Sequence, residues 1–214
     1  MMQGLIVDWG GVLTPPLHTA VGAWLTASGI DREHYGTVLR RWVDPPEGEV
    51  SPVHRLERGE IPLADFEHAL ATALAAEGSA VEAEGLVARM LADLAVYEDS
   101  MTSLVMRAKA AGVRTALLSN SWGHDYDRSQ WQEMFDAVVI SGEVGLRKPE
   151  PEIFVLALER IGLPAAECAF VDDLPHNVAA AARQGLVGIV HRTFEETAGE
   201  LEVLFPGAAW VHQR

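Results

Sequence analysis

Five short apolar runs, separated by stretches with helical periodicity, constrain this chain more than any other feature. Leu5-Ile6-Val7, Val113–Leu118, Ala137–Ile140, Cys168–Val171 and Val187–Val190 each read as a buried strand. Helix-period segments fall between them at about 101–111, 128–134, 151–161 and 175–184. A crossover long enough to hold a helix returns the chain to the same end of the sheet, so the strands run parallel with right-handed connections. The expected fold class is α/β, a Rossmann-like parallel sheet with helices on both faces.

Helix ends support this reading. Pro151 stands where a first helical turn begins and Gly162 follows the last apolar position of a stripe made by Ile153, Phe154, Ala157, Leu158 and Ile161. Pro175 and Gly185 bracket the next helix in the same way. The region from about 16 to 97 differs, with helical periodicity and no strand. Leu63, Phe66, Leu70 and Leu74 recur at three- and four-residue steps behind Pro62, and Asp44-Pro45-Pro46-Glu47-Gly48-Glu49 reads as a loop. Residues 16–97 are therefore expected to form an all-helical module inserted after the first strand. Residues 1–15 and 98–214 are expected to form the α/β domain.

With 49% hydrophobic residues, a substantial core is expected. The net charge of −15 and the absence of a Lys/Arg cluster exclude a nucleic-acid groove and disfavour an anionic membrane surface. An acidic protein repels an anionic substrate, so such a substrate needs a local cation, either a metal or a well-placed lysine. Cys168 is the sole cysteine and reads as a buried strand residue, so neither a disulfide framework nor a thiolate metal cage is available. The chain opens on a strand, and no apolar run reaches the ~18 residues of a membrane span. The expected location is cytoplasmic, and no feature sets an oligomeric state.

Four segments lie just past strand ends, the edge of an open parallel sheet where ligands bind. In Asp8-Trp9-Gly10-Gly11-Val12-Leu13-Thr14, a carboxylate is followed by glycines that let backbone approach a metal or phosphate. Ser119-Asn120-Ser121 offers a hydroxyl and amides, and otherwise reads as a turn. Arg147-Lys148-Pro149 brings a compact positive charge. In Val171-Asp172-Asp173-Leu174-Pro175-His176-Asn177, adjacent carboxylates repel unless a cation is near, and Mg²⁺ favours such oxygen ligands.

An Asp, then a Ser, then a Lys, then an acidic pair, each at a successive strand end, resembles the haloacid dehalogenase-like hydrolase superfamily along the whole chain. The Asp8–Leu13 opening and the stretch Leu56-Glu57-Arg58-Gly59-Glu60 before Phe66 are similar to the branch of epoxide hydrolase N-terminal phosphatase domains. The resemblance implies a hydrolase using Mg²⁺, in which Asp8 attacks phosphorus to form an aspartyl-phosphate. It implies Asp8, the Gly10 carbonyl and Asp173 as metal ligands, with Asp172 and Asn177 in support. It implies Ser119 and Lys148 as catalytic, phosphate-holding groups, joined by Gly11 and Asn120. The helical insertion then corresponds to a cap, and the substrate is a small phosphorylated metabolite.

The chain departs from that family's pattern at Gly10, where phosphatases commonly carry a second Asp that serves as acid and base, and at Val12, where a Thr is usual. His18, His124 and His176 are considered as stand-ins, with His176 preferred. Trp24, Arg40, Arg41 and Trp42 are considered for specificity, against a plain reading as core and solvated surface. Two alternatives stay open. One is a metal-independent 2-haloacid dehalogenase, compatible with Gly10 but not with the acidic pair. The other is a binding or regulatory protein on a hydrolase scaffold.

Overall fold

A computed structural model describes residues 2–93, 97–123 and 125–206. The five strands are β1 (Gly4–Val7), β2 (Arg114–Ser119), β3 (Ala137–Ile140), β4 (Cys168–Asp172) and β5 (Val187–Val190). All neighbours are parallel, in the order β3-β2-β1-β4-β5. The Rossmann-like expectation is met.

The central strands are buried on both faces, and successive side chains alternate between two clusters as the pleat requires. Leu5, Val7, Leu117, Ala169, Val171 and Ile189 face one apolar cluster. There they meet Met101, Leu104, Val105 and Ala108 of α6 (Asp99–Ala110) and Ala198 and Leu201 of α11 (Phe194–Leu204). Ile6, Ala116, Leu118, Val139, Cys168 and Phe170 face the opposite cluster. That side is covered by α9 (Pro151–Ile161) and α10 (Pro175–Arg183). Cys168 is fully buried there, as expected of a strand residue.

The helix signals hold at α9, where Pro151 opens the first turn and Gly162 takes a left-handed φ of 72°. One expected helix is shorter than its periodicity. The 128–134 segment yields only α7 (Trp131–Met134), because the Asp127 carboxylate accepts from the Ser129 amide and holds a turn there. The short α8 (Ser141–Val144) follows β3 directly and had no sequence signal.

Between β1 and α6 lie α1 (Leu17–Ala27), α2 (Arg32–Val43), α3 (Pro52–Glu57), α4 (Leu63–Glu77) and α5 (Leu86–Asp93), with no strand among the described residues. They enclose a separate apolar cluster that includes Trp24, Phe66, Leu70, Leu74 and Met90. Glu67, 5% exposed within it, accepts the amides of Gly85, Val87 and Ala88 and so caps α5. Among the described residues, no helix is long and apolar enough to cross a membrane.

Candidate active site

The sheet order dictates where a site can form. From β1 the chain moves outward to β2, whereas from β4 it moves outward to β5 on the other side, so a crevice opens at the carboxyl ends of β1 and β4. Asp8 stands immediately after β1 and Asp172 ends β4. The Asp8 amide donates to the Val171 carbonyl at 2.9 Å, extending the ladder to the site's edge.

Lys148 lies between them. Its Nζ is 2.8 Å from Asp8 Oδ1 and 2.7 Å from Asp172 Oδ2, and the residue is 1% exposed. The loop that carries it is fixed from its backbone. The Lys148 amide donates to Asn120 Oδ1 at 2.9 Å, and Asn120 Nδ2 donates to the Lys148 carbonyl at 3.0 Å. Asn120 thus acts on Lys148's main chain, a contact its position after β2 did not reveal.

Asp172 is fully enclosed and both its oxygens are engaged. Oδ1 accepts from the Leu174 amide and Asn177 Nδ2, and Oδ2 accepts from Lys148 and the same Asn177 nitrogen. Asp173 is half-buried beside it. Asp8, Asp172 and Asp173 each offer an oxygen within 4.8 Å of the others. Three carboxylates thus gather at one place, two of them paired with the single Lys148 ammonium. Burial pushes the Asp8 carboxyl up to about 8, with Lys148 opposing and Asp172 and Asp173 adding to the rise. Burial alone would lower Lys148, but Asp172 and Asp8 outweigh it and the ammonium is held well above its ordinary range. An all-oxygen, carboxylate-rich donor set fits a hard divalent cation such as Mg²⁺.

The turn after Asp8 is tight. Trp9's amide donates to Asp8 Oδ1 at 2.7 Å, and Gly11's amide donates to the hydroxyl of buried Thr14 at 3.2 Å. Gly11 has a φ of +73°, and a Cβ there would lie 2.4 Å from Asp173 Oδ2. A Cβ on Gly10 would meet nothing within 4 Å.

Ser119 ends β2, 1% exposed, with its hydroxyl 3.0 Å from the Tyr126 hydroxyl. Sequence reading missed Tyr126, an aromatic in an aperiodic polar loop. Its ring packs edge-on against Trp9 and Trp131. Burial pushes the Tyr126 phenol up to about 12, with the Ser119 and Ser121 hydrogen bonds opposing, so it is a neutral hydrogen-bonding group there. Tyr126 and Ser121 also line a cavity of about 370 Å³ with Leu56, Ile61, Leu63 and Arg128. Asp8, Lys148 and Asp173 are not in its walls.

Of the histidines, His176 is exposed in the first turn of α10. His124 and the side chain of His18 lie outside the described residues. Trp24 belongs to the helical core, 5% exposed, and donates from Nε1 to the Leu86 carbonyl at 2.7 Å. Trp42 packs on Phe66, Arg40 is exposed, and exposed Arg41 pairs with Glu49 at 3.0 Å.

Comparison with known proteins agrees with this geometry. Residues 2–185 match the family described as haloacid dehalogenase-like hydrolase. The chain is 30% identical over 212 residues to acyl-CoA dehydrogenase family member 10 of Mus musculus, covering 94% of this chain and 19% of that protein. It is 32% identical over 140 residues to the sesquiterpene phosphatase astK of Aspergillus oryzae, covering 63% of this chain and 69% of the relative. It is 30% identical over 102 residues to bifunctional epoxide hydrolase 2 of Rattus norvegicus, covering 44% of this chain and 18% of that protein. The chain thus spans less than a fifth of the mouse and rat relatives. Among solved structures, a HAD family enzyme of Bacteroides thetaiotaomicron, complexed with magnesium and inorganic phosphate, superposes with a TM-score of 0.60 at 20% identity. That match covers 90% of this chain and 95% of the other.

Proposed function

The chain belongs to the haloacid dehalogenase-like hydrolase family, and from that premise we propose that it is a magnesium-dependent phosphatase acting on a small phosphate monoester, with Asp8 as nucleophile. The observation that carries this reading is the convergence of three carboxylates, Asp8, Asp172 and Asp173, beside buried Lys148 at one crevice, a donor set suited to a divalent cation next to Asp8. A named phosphatase among the relatives supports it.

In this reading an Asp8 oxygen attacks phosphorus, the bond from phosphorus to the leaving oxygen breaks, and an aspartyl-phosphate forms. Gly10 supplies no carboxyl, so the leaving oxygen takes its proton from water. A second water then opens the aspartyl-phosphate, releasing inorganic phosphate and restoring the carboxylate. Lys148 and Ser119 hold the phosphoryl oxygens, assisted by the backbone at Gly11 and Asn120. Asp172 aims the Lys148 ammonium, and Asn177 holds Asp172 in turn. Asp8, Asp173 and the Gly10 carbonyl would hold Mg²⁺. When bound, that ion supplies charge stabilisation at the equatorial oxygens. Residues 16–97 are assigned as a cap that screens the site and selects the substrate.

The test is phosphate release from a panel of monoesters with Mg²⁺, using Asp8→Asn as blank. Release is expected from the wild type and lost in the variant and in EDTA. Turnover of a 2-haloacid in EDTA would move the chain to dehalogenase chemistry. Absence of both activities, with no phosphoenzyme from acetyl phosphate, would leave the binding-protein reading.

A further inference from the structure

The stretch Leu56-Glu57-Arg58-Gly59-Glu60 stands out in the sequence but takes no part in the chemistry above. It closes α3 and packs against the segment of the sheet unit that runs from α8 to α9 and carries Lys148. Glu57 is 7% exposed, and its carboxylate accepts from Arg147 Nε at 2.5 Å. Its carbonyl accepts from the Ser141 hydroxyl at 2.5 Å, and the same Ser141 oxygen accepts from the Ser121 amide at 2.7 Å. Ser141 is fully buried. Arg58 pairs with Glu150 one residue before α9. Gly59, at a φ of +70°, lies so close to the sheet unit that a Cβ there would stand 2.4 Å from the Gly142 carbonyl oxygen. Only glycine meets both demands.

One residue of the helical unit therefore meets both phosphate-facing loops. Its side chain reaches the residue before Lys148, and its carbonyl reaches, through Ser141, the residue two places after Ser119. A buried ion pair is a poor source of stability, since apolar groups of the same volume do as well or better. What it supplies is direction, because a guanidinium donates to a carboxylate only in a narrow range of orientations.

We propose that Glu57 is a positioning residue for the reaction: acting through Arg147 and Ser141, it sets the Lys148 loop and the Ser119 loop in mutual register when the helical unit is seated. This rests on the reading of Lys148 and Ser119 as phosphate-holding groups. Glu57→Gln keeps the size and removes the charge. Its expected effect is a fall in kcat of about tenfold to a hundredfold on a phosphate monoester, with KM little changed. Arg147→Gln should match it, and the double variant should be no worse than either single one. Glu57→Gln leaves the carbonyl but loosens the side-chain anchor that seats it on Ser141, so hydrogen exchange at the Ser121 amide should accelerate, a readout that needs no turnover. If the wild type releases no phosphate, the phosphatase reading fails, and the exchange measurement still decides whether Glu57 holds the loop. A folded Glu57→Gln with wild-type kcat and wild-type Ser121 exchange overturns the proposal. Should Glu57→Gln fail to fold, Arg147→Lys keeps the charge and carries the same two readouts. Wild-type values in both would overturn it equally, and partial losses would support it.

Discussion

Gly10 and Gly11 are adjacent but not equivalent. Gly11 occupies the left-handed region, and a methyl there meets the Asp173 carboxylate. Gly11→Ala is expected to displace Asp173 and lower kcat/KM about a hundredfold while circular dichroism stays native. Wild-type activity in that variant would show that Asp173 has room to move. Gly10 has open space in front of it. Gly10→Asp is expected to raise kcat on alkyl phosphates about a hundredfold and to change that on nitrophenyl phosphate much less, because only the poor leaving group needs an acid. An unchanged rate would mean that another group already protonates the leaving oxygen. His191 offers a pH prediction. Burial holds its imidazole below the ordinary range, against a partial upward pull from Glu196, while its Nδ1 contacts the Thr197 hydroxyl at 2.8 Å. Below about pH 6.5 the unfolded chain takes up a proton that the folded one resists, so stability is full above that pH and falls as pH drops. Melting temperature followed from pH 7.5 to 5.5 should fall more steeply for the wild type than for His191→Gln.

At the scale of elements, the helical unit depends on a single carboxylate for one of its joints. Glu67 in α4 takes three amides at the start of α5. Glu67→Gln keeps the shape but removes the negative charge from that helix N-terminus. It is expected to cost about 1–2 kcal/mol in urea denaturation, and a change below a few tenths would sink this account. The strands and the longer helices could be read in advance because their signals are local. Alternation between clusters at Leu5, Ile6 and Val7 is written in consecutive residues, as is the Pro151–Gly162 bracket of α9. The Glu67 cap, the pin at Ser141 and the pair of Glu57 with Arg147 join residues far apart in sequence and leave no local pattern. Tyr126 escaped because the loop that holds it has no periodicity and its packing on the Trp9 ring joins distant parts of the sequence.

For the whole molecule, charge is the dominant fact. The chain carries −15, and the crevice gathers three carboxylates, two of them buried, beside one lysine. Millimolar MgCl₂ is therefore expected to raise the melting temperature by about 5 °C beyond NaCl of equal ionic strength. Asp173→Asn should erase most of that gain, and an equal shift in both proteins would mean that the ion binds elsewhere. Three of the four site segments were legible because each abuts a strand end, and a parallel sheet gathers such ends on one edge, while the Lys148 loop follows β3 by way of α8. The partition of labour among them was less so: that Asn120 grips the Lys148 backbone follows from packing alone. The placement of β1 also has a temporal consequence. Residue 4 pairs with residue 114 on one flank and with residue 168 on the other. During synthesis β1 emerges before both of its partner strands and stays unmatched while the helices between β1 and β2 can close on their own neighbours. The crevice at Asp8 is therefore completed only once residue 168 has followed.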